Sequence, residues 1–168
     1  MKFKLHKLSV SDGKDVYDML QHIGKNENGF INHCYDMSYS EFKSWLMRSD
    51  EISKGKCPET WLVQQSIYWL YANGSPVGVA KLRHNLTKSL EIEGGHIGYA
   101  IAFPHRNQGC CTALIGLTLQ KCAALGIEEA LVTISNTNKP SIKAALRNGG
   151  VVKKVSNGKH YIWLKTGV

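Results

Sequence analysis

The sequence lacks the patterns that mark disulfide-bonded, zinc-binding and membrane-spanning proteins. Its five cysteines are an odd number and no two form a C-x-x-C pair, so we predict neither a disulfide framework nor a metal site. No apolar run approaches the roughly 20 residues of a transmembrane helix. The N-terminus is basic but lacks an apolar signal core, and we therefore expect a cytoplasmic protein with reduced thiols.

A dense block of positive charge is also missing, although the formal net charge is +8. The Lys and Arg residues are scattered, and no basic stripe with interleaved aromatic residues occurs. We therefore expect no nucleic-acid partner and no membrane partner. The charge still favours a small anionic ligand, because a positive surface field attracts anions.

The composition is typical of a folded protein, with 168 residues of which 43% are hydrophobic. A chain of this length can bury a core without disulfides or metals, and residues 1–168 are predicted to form a single domain. No repeat, low-complexity tract or linker divides it.

Strand-like alternation and helical periodicity are interspersed along the chain. Ser38 has the spacing of a capping box with Glu41, which predicts the start of a helix there. Asn-Gly pairs between strand-like runs predict two hairpins. These patterns indicate an α+β fold: a mixed, mostly antiparallel central sheet with helices on both faces. The predicted strands are residues 2–8, 66–72, 77–84, 95–103, 130–134, 151–155 and 160–164.

The most informative stretch is residues 104–113, which lies between a predicted strand and a long apolar helix. The first turn of a helix has amide groups without intrahelical partners, and the helix dipole adds partial positive charge there. A glycine-containing turn such as that at Gly109 lets several of these amides face one anion. Phosphate or pyrophosphate is the usual ligand of such a turn.

These residues resemble the GNAT superfamily of acyl-CoA-dependent N-acetyltransferases. The family pattern is a strand, then Gln/Arg-x-x-Gly-x-Gly/Ala, then a helix, and residues 106–111 follow it as Arg-Asn-Gln-Gly-Cys-Cys. A second strand with Asn136, Asn138 and Ser141 follows downstream. The resemblance is specific over residues 93–150, and its narrower form is to a bacterial group of uncharacterised predicted acetyltransferases.

The resemblance implies acetyl-CoA as the acyl donor. Amides of residues 108–112 would hold its pyrophosphate, Arg106 would add charge, and the backbone of residues 101–103 would pair with the pantetheine arm. For Asn136, Asn138 and Ser141 a purely structural role stays open. The implied cofactor-binding residues are Ile101, Ala102, Phe103, Arg106, Asn107, Gln108, Gly109, Cys110, Cys111, Thr112, Asn136, Asn138 and Ser141.

Two positions depart from the family pattern. Cys111 replaces the usual Gly or Ala, and although a thiol pKa falls at some helix N-termini, the apolar pattern here favours packing. Ala145 replaces the Tyr that protonates the leaving thiolate in many members. Tyr161, Tyr99, another side chain or water would have to take that role.

The reaction needs a base, because a primary ammonium with a pKa near ~10.4 must lose its proton before it attacks the thioester. By position His96 is the leading candidate, although a hydrogen-bonded structural histidine fits nearly as well. Glu93 is the alternative base, and a solvated loop carboxylate is its other interpretation.

The sequence therefore predicts an N-acetyltransferase that acts on the amine of a small molecule or peptide. A CoA-binding module that has lost its chemistry is the alternative, and Ala145 is the feature that supports it. Acetyl-CoA and an amine are the expected partners, with a homodimer left open. Polar residues of the loop after the first helix are candidates for the acceptor pocket: Glu27, Asn28, His33 and Tyr35.

Overall fold

Two antiparallel sheets form the centre of the fold in the computed structural model, which describes residues 1–167. The strands are β1 (Phe3–Lys7), β2 (Asn26–Glu27), β3 (Phe30–Ile31), β4 (Gln65–Ala72), β5 (Ser75–Arg83), β6 (Ile97–Ile101), β7 (Glu129–Ser135), β8 (Val151–Ser156) and β9 (Lys159–Lys165). The helices are α1 (Lys14–Gln21), α2 (Tyr39–Ser53), α3 (Lys88–Ile92), α4 (Cys110–Ala124) and α5 (Lys139–Arg147).

The larger sheet has the order β1-β4-β5-β6 and the smaller one the order β7-β9-β8. Asn73-Gly74 connects β4 to β5, and Asn157-Gly158 connects β8 to β9. All four residues have positive φ, from 49° to 87°, as the tight turns of hairpins require. Both hairpins predicted from the sequence are confirmed, and β2 and β3 form a further short hairpin.

Helices cover both faces of the larger sheet. On one face α1 and α2 bury Val16 and Phe42 against Trp69 of β4. On the other face α4 packs Leu114 against Leu70 and Ala80. The predicted α+β class, with a mostly antiparallel sheet between helices, is confirmed.

The capping signal at Ser38 also holds, whereas α1 begins after Gly13 with no side-chain cap. The Ser38 side chain accepts a hydrogen bond from the Glu41 amide at 3.1 Å, as the capping-box spacing predicts. The predicted strands leave a gap between residues 84 and 95, and the structure has the short helix α3 in that gap. Thr87 caps this helix by accepting from the Leu90 amide, a signal that the apolar pattern did not reveal.

Reciprocal hydrogen bonds join the two sheets at the start of β6. The His96 amide donates to the Leu131 carbonyl at 2.8 Å, and the Leu131 amide donates to Nδ1 of the His96 ring at 3.0 Å. Gly95 has a φ of +62°, and a Cβ there would collide with the Leu131 carbonyl oxygen. In the part of the chain described here β6 and β7 share no ladder, so a cleft separates them beyond this joint.

Replacing His96 with Ala is expected to destabilise the fold by about 1–3 kcal/mol, because the buried Leu131 amide loses its acceptor. Exposed His22, whose ring contacts the Asp18 carbonyl, provides the matched control. His22→Ala is expected to change stability by less than about 1 kcal/mol. Urea denaturation at pH 7.5 measures both, and equal effects of the two substitutions contradict the assignment.

The His96 contribution also has a predicted pH dependence. Burial lowers the pKa of His96 from its ordinary value of 6.5, so below that pH the unfolded chain binds more protons than the folded one. The stabilisation is therefore full above about pH 6.5 and is lost as pH falls through the native pKa. The stability difference between the wild type and His96→Ala should shrink accordingly.

Candidate functional site

A cleft of about 1740 Å3 runs between β6 and β7 and extends to the β2–β3 hairpin and α2. One end is formed by the loop before α4 and by α5. The other end is formed by the hairpin, by Lys81 and Arg83 of β5, and by aromatic side chains. Eight Lys or Arg residues line the cleft but only two carboxylates do, which makes it strongly electropositive.

The loop before α4 presents free amides to the first end of the cleft. Asn107 and Gly109 have φ values of 60° and 80°, and this left-handed backbone turns the chain sharply into the helix. Among the described residues, none supplies an acceptor for the main-chain amides from Asn107 through Thr112. These amides sit at the N-terminus of a 15-residue helix, an arrangement suited to an anion.

The two cysteines at the start of α4 line the cleft but are poor nucleophiles. Burial raises the pKa of Cys111 to about 12, and burial also raises the pKa of Cys110. Both thiols are therefore protonated near neutral pH. The packing interpretation of these residues agrees with their surroundings.

Arg106 ties the loop to the β2–β3 hairpin. Its guanidinium forms an ion pair with Glu27, and its Nε donates to the Ile101 carbonyl at 3.0 Å. The positive charge of Arg106, which was predicted to lie near the phosphates, is thus partly neutralised by the Glu27 carboxylate. A role beside the phosphates stays a prediction, and the ion pair is the contact that the structure shows.

The strand β6 pairs with β5 along one edge, and its other edge faces the cleft. Peptide groups on such an unpaired edge need partners, and an extended ligand with amides of its own can supply them. Ile101 lies on this edge. Ala102 and Phe103 do not line the cleft, and their amides donate to the carbonyls of Val77 and His22. For these two residues the predicted pairing with a ligand does not fit the geometry.

Helix α5 brings a basic stripe to the cleft. Lys139, Lys143 and Arg147 are spaced by four residues, so they share one face of the helix. The sequence analysis missed this stripe, although the spacing is visible in the sequence. Asn138 and Ser141, both predicted, line the cleft beside it.

Two other predicted binding residues lie away from the cleft. The side-chain oxygen of Asn136 contacts Nδ1 of His160 at 2.7 Å, which turns the amide toward β9. The Gln108 side chain donates to the Pro104 carbonyl at 3.2 Å. Neither side chain lines the cleft, although the main-chain amide of Gln108 belongs to the free set.

His96 is unsuited to the predicted role of base. A neutral imidazole carries one proton, and Nδ1 must be free of it to accept from the Leu131 amide. The proton is then on Nε2, so neither nitrogen has a free lone pair for an ammonium proton. The ring also lies against Trp163 and does not line the cleft. Of the two interpretations, the geometry agrees with the structural one.

Tyr161 is likewise committed elsewhere, since its hydroxyl donates to the Ile92 carbonyl at 2.7 Å and lies outside the cleft. Tyr99, the other tyrosine considered, lines the cleft, and its hydroxyl contacts Ser141 Oγ at 2.5 Å. Burial raises the pKa of Tyr99, so the hydroxyl keeps its proton. Tyr99 thus offers a protonated donor inside the cleft.

Glu93, the alternative base, also lines the cleft. Its side chain is 70% exposed and lies 3.6 Å from Lys159 Nζ. The long distance and the exposure leave the carboxylate accessible to water. Glu93 can therefore accept a proton directly or through water.

The hairpin end of the cleft contains the residues that the sequence analysis missed most clearly. Lys81 and Arg83 point into it from β5, beside Phe30. Glu27, Asn28 and His33 also line this end, as predicted, whereas Tyr35 does not. The signal in the sequence is the spacing of Lys81 and Arg83, which places two positive charges on one face of a strand.

Two features are absent from residues 1–167. No cluster of three or more His, Cys, Asp or Glu side chains is arranged to hold a metal ion. No helix in the same range combines the length and apolarity that crossing a membrane requires.

Comparison with solved structures identifies the fold. The microcin C7 self-immunity acetyltransferase MccE, solved with acetyl-CoA and AMP, matches with a TM-score of 0.69 and 15% identity over 97% of this chain and 92% of its own. The Vibrio fischeri ribosomal-protein-S5-alanine acetyltransferase gives 0.68 and 14% over 98% and 93%. The Campylobacter jejuni N-acetyltransferase PseH, solved with acetyl coenzyme A, gives 0.62 and 12% over 98% and 99%. At these identities the likeness establishes the fold alone.

Sequence comparison gives the family. No protein with a curated description matches the chain significantly. The family model described as "Acetyltransferase (GNAT) domain" matches residues 3–151, which is most of the chain. This match covers the loop before α4, the strands β6 and β7 that line the cleft, and α5. The chain belongs to the GNAT acetyltransferase family.

Proposed function

We propose that the protein transfers the acetyl group of acetyl-CoA to the amine of a small acceptor by direct attack on the thioester. The observation that carries this proposal is the set of unpartnered amides from Asn107 through Thr112 at one end of the cleft. Family membership supports acetyl transfer in general. The amides give the pyrophosphate of CoA a binding place on this particular chain.

The rest of the cleft fits the same donor. The basic face of α5 lies on the same side as the loop and supplies Lys139, Lys143 and Arg147 for the remaining phosphate charge. The unpaired edge of β6 suits an extended arm that carries two amides, because each amide can replace a missing strand neighbour. The thioester end of the arm then points toward Tyr99 and the hairpin.

The chemistry assigned to the residues of the cleft is proton transfer. As the amine nitrogen attacks the thioester carbonyl and the C–S bond breaks, the nitrogen loses a proton and the sulfur gains one. Glu93 receives the amine proton, through water where the acceptor lies deeper. The Tyr99 hydroxyl donates to the departing thiolate and is reprotonated through Ser141, which it already contacts.

The non-catalytic alternative rests on Ala145, which replaces the usual tyrosine and is fully buried in the core. Tyr99 supports catalysis in its place. The two functions separate in one experiment, namely CoA release from acetyl-CoA measured across a panel of amines. A chain that binds acetyl-CoA tightly and releases no CoA with any amine would be a binding module.

Gly109→Ala is expected to weaken acetyl-CoA binding by about 5–30-fold, because the positive φ strains any side chain and shifts the loop amides. Gly126→Ala is the matched control. Gly126 follows the same helix, has a φ of +77°, and like Gly109 has nothing within 4 Å of a built Cβ. Calorimetry with acetyl-CoA should show the loss for Gly109→Ala alone, while both variants lose similar thermal stability.

Tyr99→Phe is expected to lower kcat by about 100-fold, the usual lower range for a lost general acid, with little change in acetyl-CoA affinity. Tyr161→Phe removes an equally hydrogen-bonded hydroxyl outside the cleft and should leave kcat within a few-fold. Steady-state CoA release measures both variants. Similar kcat values for the two would remove Tyr99 from the mechanism and return the assignment to water.

Glu93→Gln is expected to reduce kcat/KM at pH 7 by about 10-fold or more and to shift the pH profile upward, because more of the amine must then arrive unprotonated. Glu129→Gln is the control, since Glu129 also pairs with a lysine, Lys153 at 3.3 Å, but does not line the cleft. An unchanged pH profile for Glu93→Gln would show that the amine loses its proton by another route.

A further inference from the structure

Two cations, buried Lys81 and half-buried Arg83, share one face of β5 at the hairpin end of the cleft. Lys81 and Arg83 are two residues apart in a strand, so both side chains point the same way. Lys81 is 9% exposed, although lysine is rarely buried without an anionic partner. Both residues line the cleft.

The protein partners of these cations are neutral. Lys81 Nζ donates to the Ile31 carbonyl at 2.7 Å and lies 4.7 Å from the centre of the Phe30 ring. Arg83 donates through Nη1 to the carbonyls of Gly94 and Gly95, at 3.1 and 3.4 Å. These contacts occupy one of three lysine donors and one edge of the guanidinium, so donors of both residues stay available to the cleft.

Carboxylates of the cleft do not compensate this charge. Glu27 is paired with Arg106 and Glu93 lies beside Lys159. Across residues 1–167, neither Lys81 nor Arg83 forms a salt bridge with any carboxylate. Two like charges thus lie close together in a partly dry site without a counter-ion.

Such an arrangement is costly without an anion. Burial lowers the pKa of Lys81 to about 8, with the charge of Arg83 adding to the effect, and burial lowers the pKa of Arg83 as well. Lys81 also contributes to the lowered pKa of His33, after burial. An anion bound between Lys81 and Arg83 would offset both the desolvation and the repulsion.

The site also has room for a ligand group. Gly98 of β6 lies opposite Lys81, and a Cβ there would be 3.6 Å from Arg83 Nη1 and 3.8 Å from the Phe30 ring. The missing side chain therefore leaves space between the guanidinium and the aromatic ring. Trp45 and Trp61 line the same end of the cleft and offer apolar surface to the rest of an acceptor.

We propose that the acceptor is a small amine that also carries an anionic group, and that Lys81 and Arg83 bind this group. The proposal rests on the proposed acetyl transfer and names its substrate class. The planar fork of Arg83 suits a carboxylate or a phosphate, which share the same geometry of two adjacent oxygens. The anion fixes the acceptor so that its amine reaches the thioester.

The first test compares matched acceptors that differ only in the anionic group. Phenylalanine is compared with phenethylamine, and O-phosphoethanolamine with ethanolamine, by CoA release. The wild type is expected to prefer the anionic member of at least one pair by 10-fold or more in kcat/KM, and the responding pair identifies carboxylate or phosphate. Arg83→Gln and Lys81→Gln should each reduce this preference by 10-fold or more.

Arg48→Gln is the control for loss of charge alone. Arg48 lines the same end of the cleft but is already paired with Glu59 at 2.7 Å. This variant should keep the wild-type preference. A preference that Arg83→Gln and Lys81→Gln leave unchanged, or greater activity on peptide amines than on any anionic amine, would overturn the proposal.

The second test does not depend on turnover. With saturating CoA present to fill the phosphate-binding end, 3-phenylpropionate is expected to raise Tm, whereas its neutral analogue 3-phenylpropanamide is not. Inorganic phosphate under the same conditions tests the other anion. The stabilisation should disappear in Arg83→Gln and persist in Arg48→Gln.

The two tests separate the two proposals. If CoA itself gives no stabilisation and no amine is acetylated, the proposed function fails, while anion binding at Lys81 and Arg83 is still measured by Tm without CoA. If CoA binds but neither anion stabilises the wild type more than the Arg83→Gln variant, the inferred substrate class is wrong and acetyl transfer to neutral amines remains.

Discussion

The whole site depends on the pair of hydrogen bonds that joins His96 to Leu131. This joint holds two sheets together at one end and lets β6 and β7 diverge beyond it. Because Nδ1 of the imidazole accepts a hydrogen bond from the Leu131 amide, the ring behaves as a fixed part of the main-chain network. A continuous ladder between the strands would have closed the cleft. His96, which the sequence suggested as a catalytic base, instead holds the two strands at the point where the cleft begins.

Much of the fold follows from local patterns in the sequence, and the reasons are visible residue by residue. Asn73-Gly74 and Asn157-Gly158 adopt the positive φ values that tight hairpins need, and Ser38 caps α2 as its spacing predicted. The loop at Gly109 was found because glycine, the preceding strand and the following helix are all contiguous. These features depend on neighbours in the chain, so the sequence alone was sufficient for them.

Residue roles that depend on distant partners could not be predicted in the same way. The ring of His96 is fixed by an amide 35 positions away, and Asn136 is turned by His160 across a sheet. In the sequence Lys81 looks like an ordinary strand lysine. Its burial depends on contacts with the Ile31 carbonyl and the Phe30 ring of the hairpin. In each case the deciding contact joins elements that no local pattern connects, so the sequence left more than one interpretation open.

The free edge of β6 has a consequence for the behaviour of the protein in solution. An unpaired strand edge normally invites another chain to add to it, which is a route to polymers. Here the edge lies within the cleft, where Gly98 and Ala100 are part of the lining. A strand that added to this edge would occupy the space proposed for the pantetheine arm, so ligand binding and templated pairing compete for the same backbone groups.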